Sequence, residues 1–245
     1  MHTRQAKRAA PSTINKTNLQ AINIMPNLKP APTLIRKISG ALLLALAFAL
    51  APMHAAAQAL PRKILVLGDS ISAEYGMARG AGWVALLQKK LTAEKRPWQV
   101  INASISGDTT AGGRARLAQQ LAQHQPQVLI VELGGNDALR GLPLLQTQAN
   151  LAAMTEMAQK AGARVLLLGM QVPPNYGADY SRAFAQTFAD VAKAKKTALV
   201  PFLLKGVGDV PESQKWFQSD RIHPNAQAQP LLLANVWPQL VRLLR

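Results

Sequence analysis

Cysteine is absent from all 245 residues. That excludes disulfides, a thiolate nucleophile, zinc–thiolate sites and lipid-modified cysteine together. It does not argue against export, because a domain of this size can be stable without disulfides. Histidine is scarce, with four in the chain and only His124 and His223 beyond residue 60. That leaves little from which to build a metal site, and the expectation is chemistry without metal or cofactor. There is no Gly-x-Ser-x-Gly elbow and no Walker-type phosphate loop. Gly80-Ala81-Gly82-Trp83-Val84-Ala85 imitates a dinucleotide fingerprint but does not directly follow a strand.

Acidic residues are missing from the first 60 positions. All twelve lie beyond, beside twenty-one Lys/Arg, a net +9; residues 1–37 carry seven Lys/Arg and no acid. A basic surface can attract nucleic acid or anionic lipid. Here the basic side chains are scattered. The cluster Lys193-Ala194-Lys195-Lys196 falls on an expected helix, where a solvated face is the simplest account. No nucleic-acid partner is expected, and the chain is expected to be a monomer. Anionic lipid or cell-wall polymer is the contact that the charge would favour.

What is present begins with a leader. After the basic stretch comes an apolar run from Ile38 to Pro52, too short to span a bilayer comfortably but suited to a signal-peptide core. Ala55-Ala56-Ala57 and Ala57-Gln58-Ala59 are both A-x-A sites. This order predicts a secretory signal cleaved near Ala57 or Ala59, with an uncleaved anchor as the alternative. The basic part is long, which leaves Met25 as an alternative start. Residues 1–59 are read as leader and residues 60–245 as a single exported domain, periplasmic or secreted.

That domain alternates strand and helix signals. Strands are expected at Lys63–Leu67, Gln99–Ala103, Val128–Leu133, Val165–Met170 and Ala198–Phe202. Trp83, Leu87 and Leu91 recur at helical spacing. Further helices are expected over Ala111–His124, Leu144–Lys160, Ser181–Lys196 and Ala226–Leu244. In the last, Pro230 and Pro238 predict an irregular or kinked path. Five near-continuous apolar strands separated by helices imply an α/β fold, a parallel sheet covered on both faces in three layers.

The first strand ends in Gly68-Asp69-Ser70. Taken alone that is an ordinary turn. Yet ligands bind at the C-terminal edge of open parallel sheets, and a serine there is placed to be a nucleophile if a base and oxyanion donors accompany it. His124 sits at a helix end with no acid nearby and reads as a surface residue favouring the helix dipole. If histidine is the base, elimination makes it His223. Asp220 lies three residues before it and can turn back onto Nδ1, leaving Nε2 free to take a proton. A structural turn is the alternative for that pair. Gly134-Gly135-Asn136-Asp137 follows the third strand, where the Asn136 amide can donate to a developing negative oxygen. Ser106-Gly107-Asp108-Thr109 follows the second, where Gly107 can present its N–H. The Ser70 N–H is a third donor. Pro173-Pro174-Asn175-Tyr176-Gly177 forms a loop on the same edge. Each segment is unremarkable as a turn; their coincidence at successive strand ends is the signal.

With these residues in view, the chain resembles the SGNH (GDSL-type) hydrolases, and within them the periplasmic multifunctional thioesterase I, lysophospholipase and arylesterase group. The resemblance covers nearly all of residues 61–240. It rests on four ordered blocks: Gly68–Ser72, Asn102–Thr110, Val131–Asp137 and Asp220–Asn225. It implies a flavodoxin-like sandwich with strand order 2-1-3-4-5. It also implies Ser70 as nucleophile, Ser70, Gly107 and Asn136 as oxyanion hole, His223 as base and Asp220 as its partner. Pro173, Pro174, Asn175 and Tyr176 would line the acyl chain. Ile71 replaces the usual leucine. Glu74 replaces a usual glycine, which predicts either strain or a different local path, and a carboxylate near the mouth that would disfavour anionic substrates such as acyl-CoA.

The reading is an exported serine esterase acting on acyl esters, including lysophospholipids and thioesters. Activity should rise as the base loses its proton, near about pH 6.5 for an unperturbed histidine. An acetylesterase acting on carbohydrate or cell-wall polymer is the alternative within the same fold. A non-catalytic binding protein is the alternative from another class.

Overall fold

In the computed structural model, which describes residues 61–245, the apolar run Ile64–Leu67 is the fully buried middle of β1 (Arg62–Gly68). Beside it lie β2 (Trp98–Asn102) and β3 (Val128–Glu132), followed outward by β4 (Arg164–Leu168) and β5 (Ala198–Val200). All pairings are parallel, in the order β2-β1-β3-β4-β5. This is the order that the resemblance implied. All five residues of β3 are buried, as a central strand covered on both faces requires. β1 runs one residue further than expected, to Gly68, whereas β2 to β5 stop one or two residues earlier than hydrophobicity alone suggests. Beyond β5, Pro201 has no N–H with which to continue the ladder.

Six helices cover the sheet: α1 (Trp83–Ala93), α2 (Thr110–His124), α3 (Gly135–Leu139), α4 (Leu144–Lys160), α5 (Ala178–Ala194) and α6 (Gln229–Leu243). On one face α1 packs against α6; on the other α2, α4 and α5 lie side by side. The predicted face of α1 is buried as Trp83, Val84, Leu87 and Leu91. Thr109 caps α2 by accepting from the Gly112 N–H, and Gln125 ends it in a left-handed conformation just before Pro126. His124 occupies the last turn of α2, and Lys195, at the end of α5, pairs with Glu156.

The structure corrects two expectations. The last helix starts at Gln229, three residues later than expected: Pro230 falls in its first turn, where a missing N–H costs nothing, and α6 runs on through Pro238, which has no N–H for the preceding turn, to Leu243. The stretch after the two glycines at 134 and 135 is not a simple turn but the short helix α3, too brief to show periodicity in the sequence. The expected leader, with the expected cleavage near Ala57 or Ala59, lies outside the described residues.

Candidate active site

β1 delivers Asp69 and Ser70 to the C-terminal edge of the sheet, and the chain at once coils into a tight turn. The Ala73 N–H donates to the Asp69 carbonyl at 2.9 Å and the Tyr75 N–H to the Ser70 carbonyl at 3.2 Å. Ser70 is thus held on a short, internally bonded turn at the end of a buried strand. From 153 residues further along, His223 brings Nε2 to 2.9 Å from Ser70 Oγ. His223 Nδ1 lies 2.6 Å from Asp220 Oδ2. With Nδ1–H donating to Asp220, Nε2 is the acceptor for the serine hydroxyl.

The loop carrying His223 is held by polar contacts more than by burial. Asp220 Oδ1 accepts from the N–H groups of Ile222 (2.9 Å) and His223 (3.0 Å). Some desolvation acts to raise the Asp220 carboxyl, but these two N–H groups and the imidazole outweigh it and bring it down to about 2. Phe217 and Pro224 form an antiparallel bridge across the loop, and the Gln218 side chain donates to the Tyr75 carbonyl at 2.8 Å. Buried Gln229 accepts from the Trp83 N–H at 3.0 Å. The loop is therefore fastened both to the serine turn and to α1. The Tyr75 ring lies 4.3 Å from the imidazole, centroid to centroid.

The other strand ends supply hydrogen-bond donors. Gly107 has φ +78°, a backbone that L side chains rarely adopt. Among the described residues neither its N–H nor that of Ser70 has a hydrogen-bond partner. Asn136, on α3, directs its amide nitrogen at two acceptors, Asp69 Oδ2 (3.1 Å) and the Asp108 carbonyl (3.0 Å). Arg140 donates to the Gly107 carbonyl at 2.8 Å, so α3 clamps this loop at two points. Buried Asp137 anchors α3 in turn, accepting from the Thr110 N–H (2.8 Å), the Thr110 hydroxyl and Thr147.

Two oxygens paired through an imidazole, with N–H groups converging from neighbouring strand ends, make an arrangement suited to acyl transfer. The chain matches the GDSL-like Lipase/Acylhydrolase family over residues 66–230. It belongs to that family. Ester hydrolysis is the class of activity that goes with membership of this lipase/acylhydrolase family. The chain is 55% identical over 199 residues to Esterase TesA of Pseudomonas aeruginosa, covering 81% of this chain and 96% of that protein. It is 44% identical over 169 residues to the Escherichia coli K12 protein named thioesterase 1/protease 1/lysophospholipase L1, covering 69% of this chain and 78% of the other. Among solved structures, a crystal structure of TesA superposes with a TM-score of 0.72 at 54% identity, covering 74% of this chain and 99% of that one. The psychrotrophic esterase EstA from Pseudoalteromonas sp., inhibited by monoethylphosphonate, gives 0.69 at 38% identity, covering 74% and 97%.

Within this family frame Glu74 is the notable departure. It adopts φ +61°, the backbone a glycine would take. Its carboxylate is half-buried and engaged within its own loop. It accepts from the N–H groups of Gly80 (2.9 and 3.0 Å) and Gly82 (2.8 Å), closing the loop that leads to α1. Pro173 to Tyr176 lie on the loop leaving β4, with residues 174–176 in a single 3-10 turn. Asn175 and Tyr176 are exposed there, and Tyr176 stacks 6.4 Å from Tyr180.

Sequence reasoning missed Gln218, Gln229 and Tyr75, whose partners lie far away in the chain. It also missed Glu132, although a carboxyl closing the apolar run Val128–Val131 was a visible signal.

Proposed function

We propose that the chain is an exported serine esterase that hydrolyses acyl esters through an acyl-enzyme on Ser70. The observation that carries this reading is the unbroken chain from Ser70 Oγ through His223 to Asp220, with spacings of 2.9 and 2.6 Å. Ser70 attacks the acyl carbonyl while His223 Nε2 takes its proton, and Asp220 stabilises the imidazolium. The Ser70 and Gly107 N–H groups and the Asn136 amide hold the developing oxyanion. His223 then protonates the leaving alcohol or thiol, and water releases the acyl group by the same steps.

Long-chain and lipid-like acyl groups are favoured by one surface feature. Among the described residues the exposed large hydrophobics are Tyr75, Ile105, Leu139, Leu145, Tyr176 and Ile222. Each lies on a segment between the C-terminal end of a strand and the body of the next helix, and they are proposed to form an apolar rim on the edge of the sheet that carries Ser70. Arg79, Arg140 and Arg221, also exposed, stand on the same segments. An apolar rim with cationic residues suits a substrate that joins an acyl chain to an anionic head group, a lysophospholipid above all. Pro173, Pro174, Asn175 and Tyr176 are proposed as the part of this rim that lies along the acyl chain.

Export is supported by the basic start, the apolar core and the A-x-A sites of the leader. The working form is then residues 60–245, a monomer in the periplasm or outside the cell. Among the described residues no helix is long and apolar enough to cross a membrane.

The test is the hydrolysis rate of p-nitrophenyl esters from acetyl to palmitoyl, with Ser70→Ala alongside. Ser70→Ala should lower kcat by a factor on the order of 10⁶. A Ser70-dependent optimum at medium or long chains is expected. A sharp acetyl optimum would move the assignment to an acetylesterase, and no Ser70-dependent turnover at any length would favour a binding protein.

A further inference from the structure

Beneath Ser70 lie two carboxyl groups that the proposed reaction does not use. Glu132 ends β3, and the parallel register sets it beside Gly68, one residue before Asp69. It is fully buried. Its Oε2 accepts from the Asp69 N–H (3.2 Å) and from Ser72 Oγ (2.7 Å), and Ser72 Oγ in turn accepts from Trp83 Nε1 at 3.2 Å. Its other oxygen, Oε1, is buried without a donor. Asp69 is 2% exposed, and because its own N–H is bound by Glu132 the two carboxyl groups share one buried patch. Space here is tight. A Cβ at Gly68 would stand 2.9 Å from Glu132 Oε2 and 2.8 Å from both Ser104 Oγ and Ser72 Cβ.

Among the described residues no lysine or arginine pairs with either carboxyl. The nearby guanidinium of Arg116 is engaged by Asp108 at 2.8 Å. Two neighbouring carboxyls, both buried and with no cation beside them, do not both ionise at neutral pH. The donors decide which one keeps the proton. Asp69 accepts from the Ile71 N–H (3.0 Å) on Oδ1 and from the Asn136 amide (3.1 Å) on Oδ2. Both donors to Glu132 fall on Oε2, so Oε1 is the oxygen left to carry a proton.

We propose that Glu132 is a neutral carboxylic acid that donates its proton to an ionised Asp69, and that this pair positions the Asn136 amide for ester hydrolysis. Burial first, and then the neighbouring Asp69 charge, push Glu132 well above the usual carboxylate range. Burial also raises Asp69, to about 6, against the lowering pull of Ile71, Glu132, His223 and Asn136. One negative charge therefore remains on the pair at neutral pH, on the oxygen-rich side facing Asn136. An ionised Asp69 has only acceptors, so it forces the nitrogen of Asn136 inward and keeps its oxygen away. When an oxyanion develops, one amide N–H stays on Asp69 while the other turns from the Asp108 carbonyl to the new charge. A neutral Glu132 adds no second negative charge beside the oxyanion. Asp69 and Glu132 are positioning residues in this account, which rests on the proposed role of Asn136.

The experiment combines steady-state kinetics on a soluble p-nitrophenyl ester with infrared spectroscopy of the exported form. Asn136→Ala should lower kcat by about 10²–10³. Asp69→Asn should lower kcat by about ten- to a hundredfold with KM within about twofold, because only the transition-state donor is misplaced. The double variant should be no slower than Asn136→Ala alone. Glu132→Leu should lose activity like Asp69→Asn, and Glu132→Gln, whose amide still donates to Asp69, should restore kcat to within about threefold of the native rate. The native protein near neutral pH should show the carbonyl stretch of one un-ionised carboxylic acid. That band should shift on isotope labelling of glutamate, a result independent of how any variant folds, and vanish in Glu132→Gln. Absence of the band, or Glu132→Gln as slow as Glu132→Leu, overturns the proposal. So does additivity of the Asp69 and Asn136 substitutions. If Asn136→Ala itself keeps native kcat, the oxyanion reading of Asn136 fails; if it is slow while Asp69→Asn is not, only the positioning proposal fails.

Discussion

Asp69 and Asp220 lie on opposite sides of the Ser70–His223 contact and are driven in opposite directions. Asp69 sits at the end of a buried strand, and its carboxyl is raised to about 6 because little solvent reaches it. Asp220 sits on an exposed loop; desolvation pulls its carboxyl up, but the N–H groups of His223 and Ile222 and the imidazole together outweigh it and bring it down to about 2. The first region is rigid because the apolar sheet surrounds it. The second is rigid because backbone donors, Gln218 and Gln229 tie it down. In the proposed reaction one residue type would thus serve two purposes: just past the strand it would take a shared proton's hydrogen bond and steer an amide, and on the loop it would stay ionised and support an imidazolium.

The sharpest way to test the loop side is Asp220→Asn. The amide can still meet the His223 and Ile222 N–H groups, but it no longer stabilises the imidazolium or fixes its tautomer. A fall in kcat of about 10⁴ is expected at neutral pH. A loss below tenfold would mean that the loop holds His223 without help from that charge, and the contrast between the two aspartates would lose its functional meaning.

How much of this could be read from the chain depends on distance along it. Asp220 and His223 are three residues apart, so one turn of chain brings them together and the pair is visible in sequence. Ser70 and His223 are 153 residues apart, and only the scarcity of histidine singled out the partner. The parallel sheet was legible because Ile64–Leu67 and Val128–Val131 are continuous apolar runs of strand length. Gln218 and Gln229 were not legible, since they reach Tyr75 and Trp83 across 143 and 146 residues. No local pattern encodes a hydrogen bond at that range. Helix α3 was missed for the opposite reason, being too short for any period to emerge. Glu132 was passed over because an acid at the end of an apolar run reads as the edge of the strand, whereas the register carries it under the nucleophile.

A smaller effect separates the two aspartates by stability rather than rate. An unfolded aspartate titrates near about 3.9. The folded value for Asp220 is lower, so its contribution is present above about pH 4 and is lost as pH falls toward about 2. The folded value for Asp69 is higher, so its ionisation costs stability above about pH 6, and that cost is relieved as pH falls toward about 4. Thermal melting against pH should therefore show two limbs of opposite sign. Asp69→Asn should make the limb between about pH 6 and 4 shallower, leaving the part that buried neutral Glu132 contributes with the same sign, and Asp220→Asn should flatten the limb between about pH 4 and 2. If one substitution flattened both limbs, the two carboxyls would not be titrating independently.

The smallest expected effect probes the turn that joins the two regions. Glu74 accepts a left-handed backbone at φ +61°, which costs an L residue roughly 1 kcal/mol. In exchange its carboxylate holds the N–H groups of Gly80 and Gly82. Charge-assisted bonds of this kind contribute about 1.5–3 kcal/mol each where water is excluded, and less at this half-buried site. Glu74→Gly removes both the strain and the bonds, while Glu74→Ala removes the bonds and keeps the strain. Melting temperatures should fall in the order glutamate, glycine, alanine, with the last step worth about 1 kcal/mol. A glycine variant more stable than the native protein would show that the carboxylate anchors nothing. The serine turn would then owe its shape to β1 and to the Gln218 contact alone.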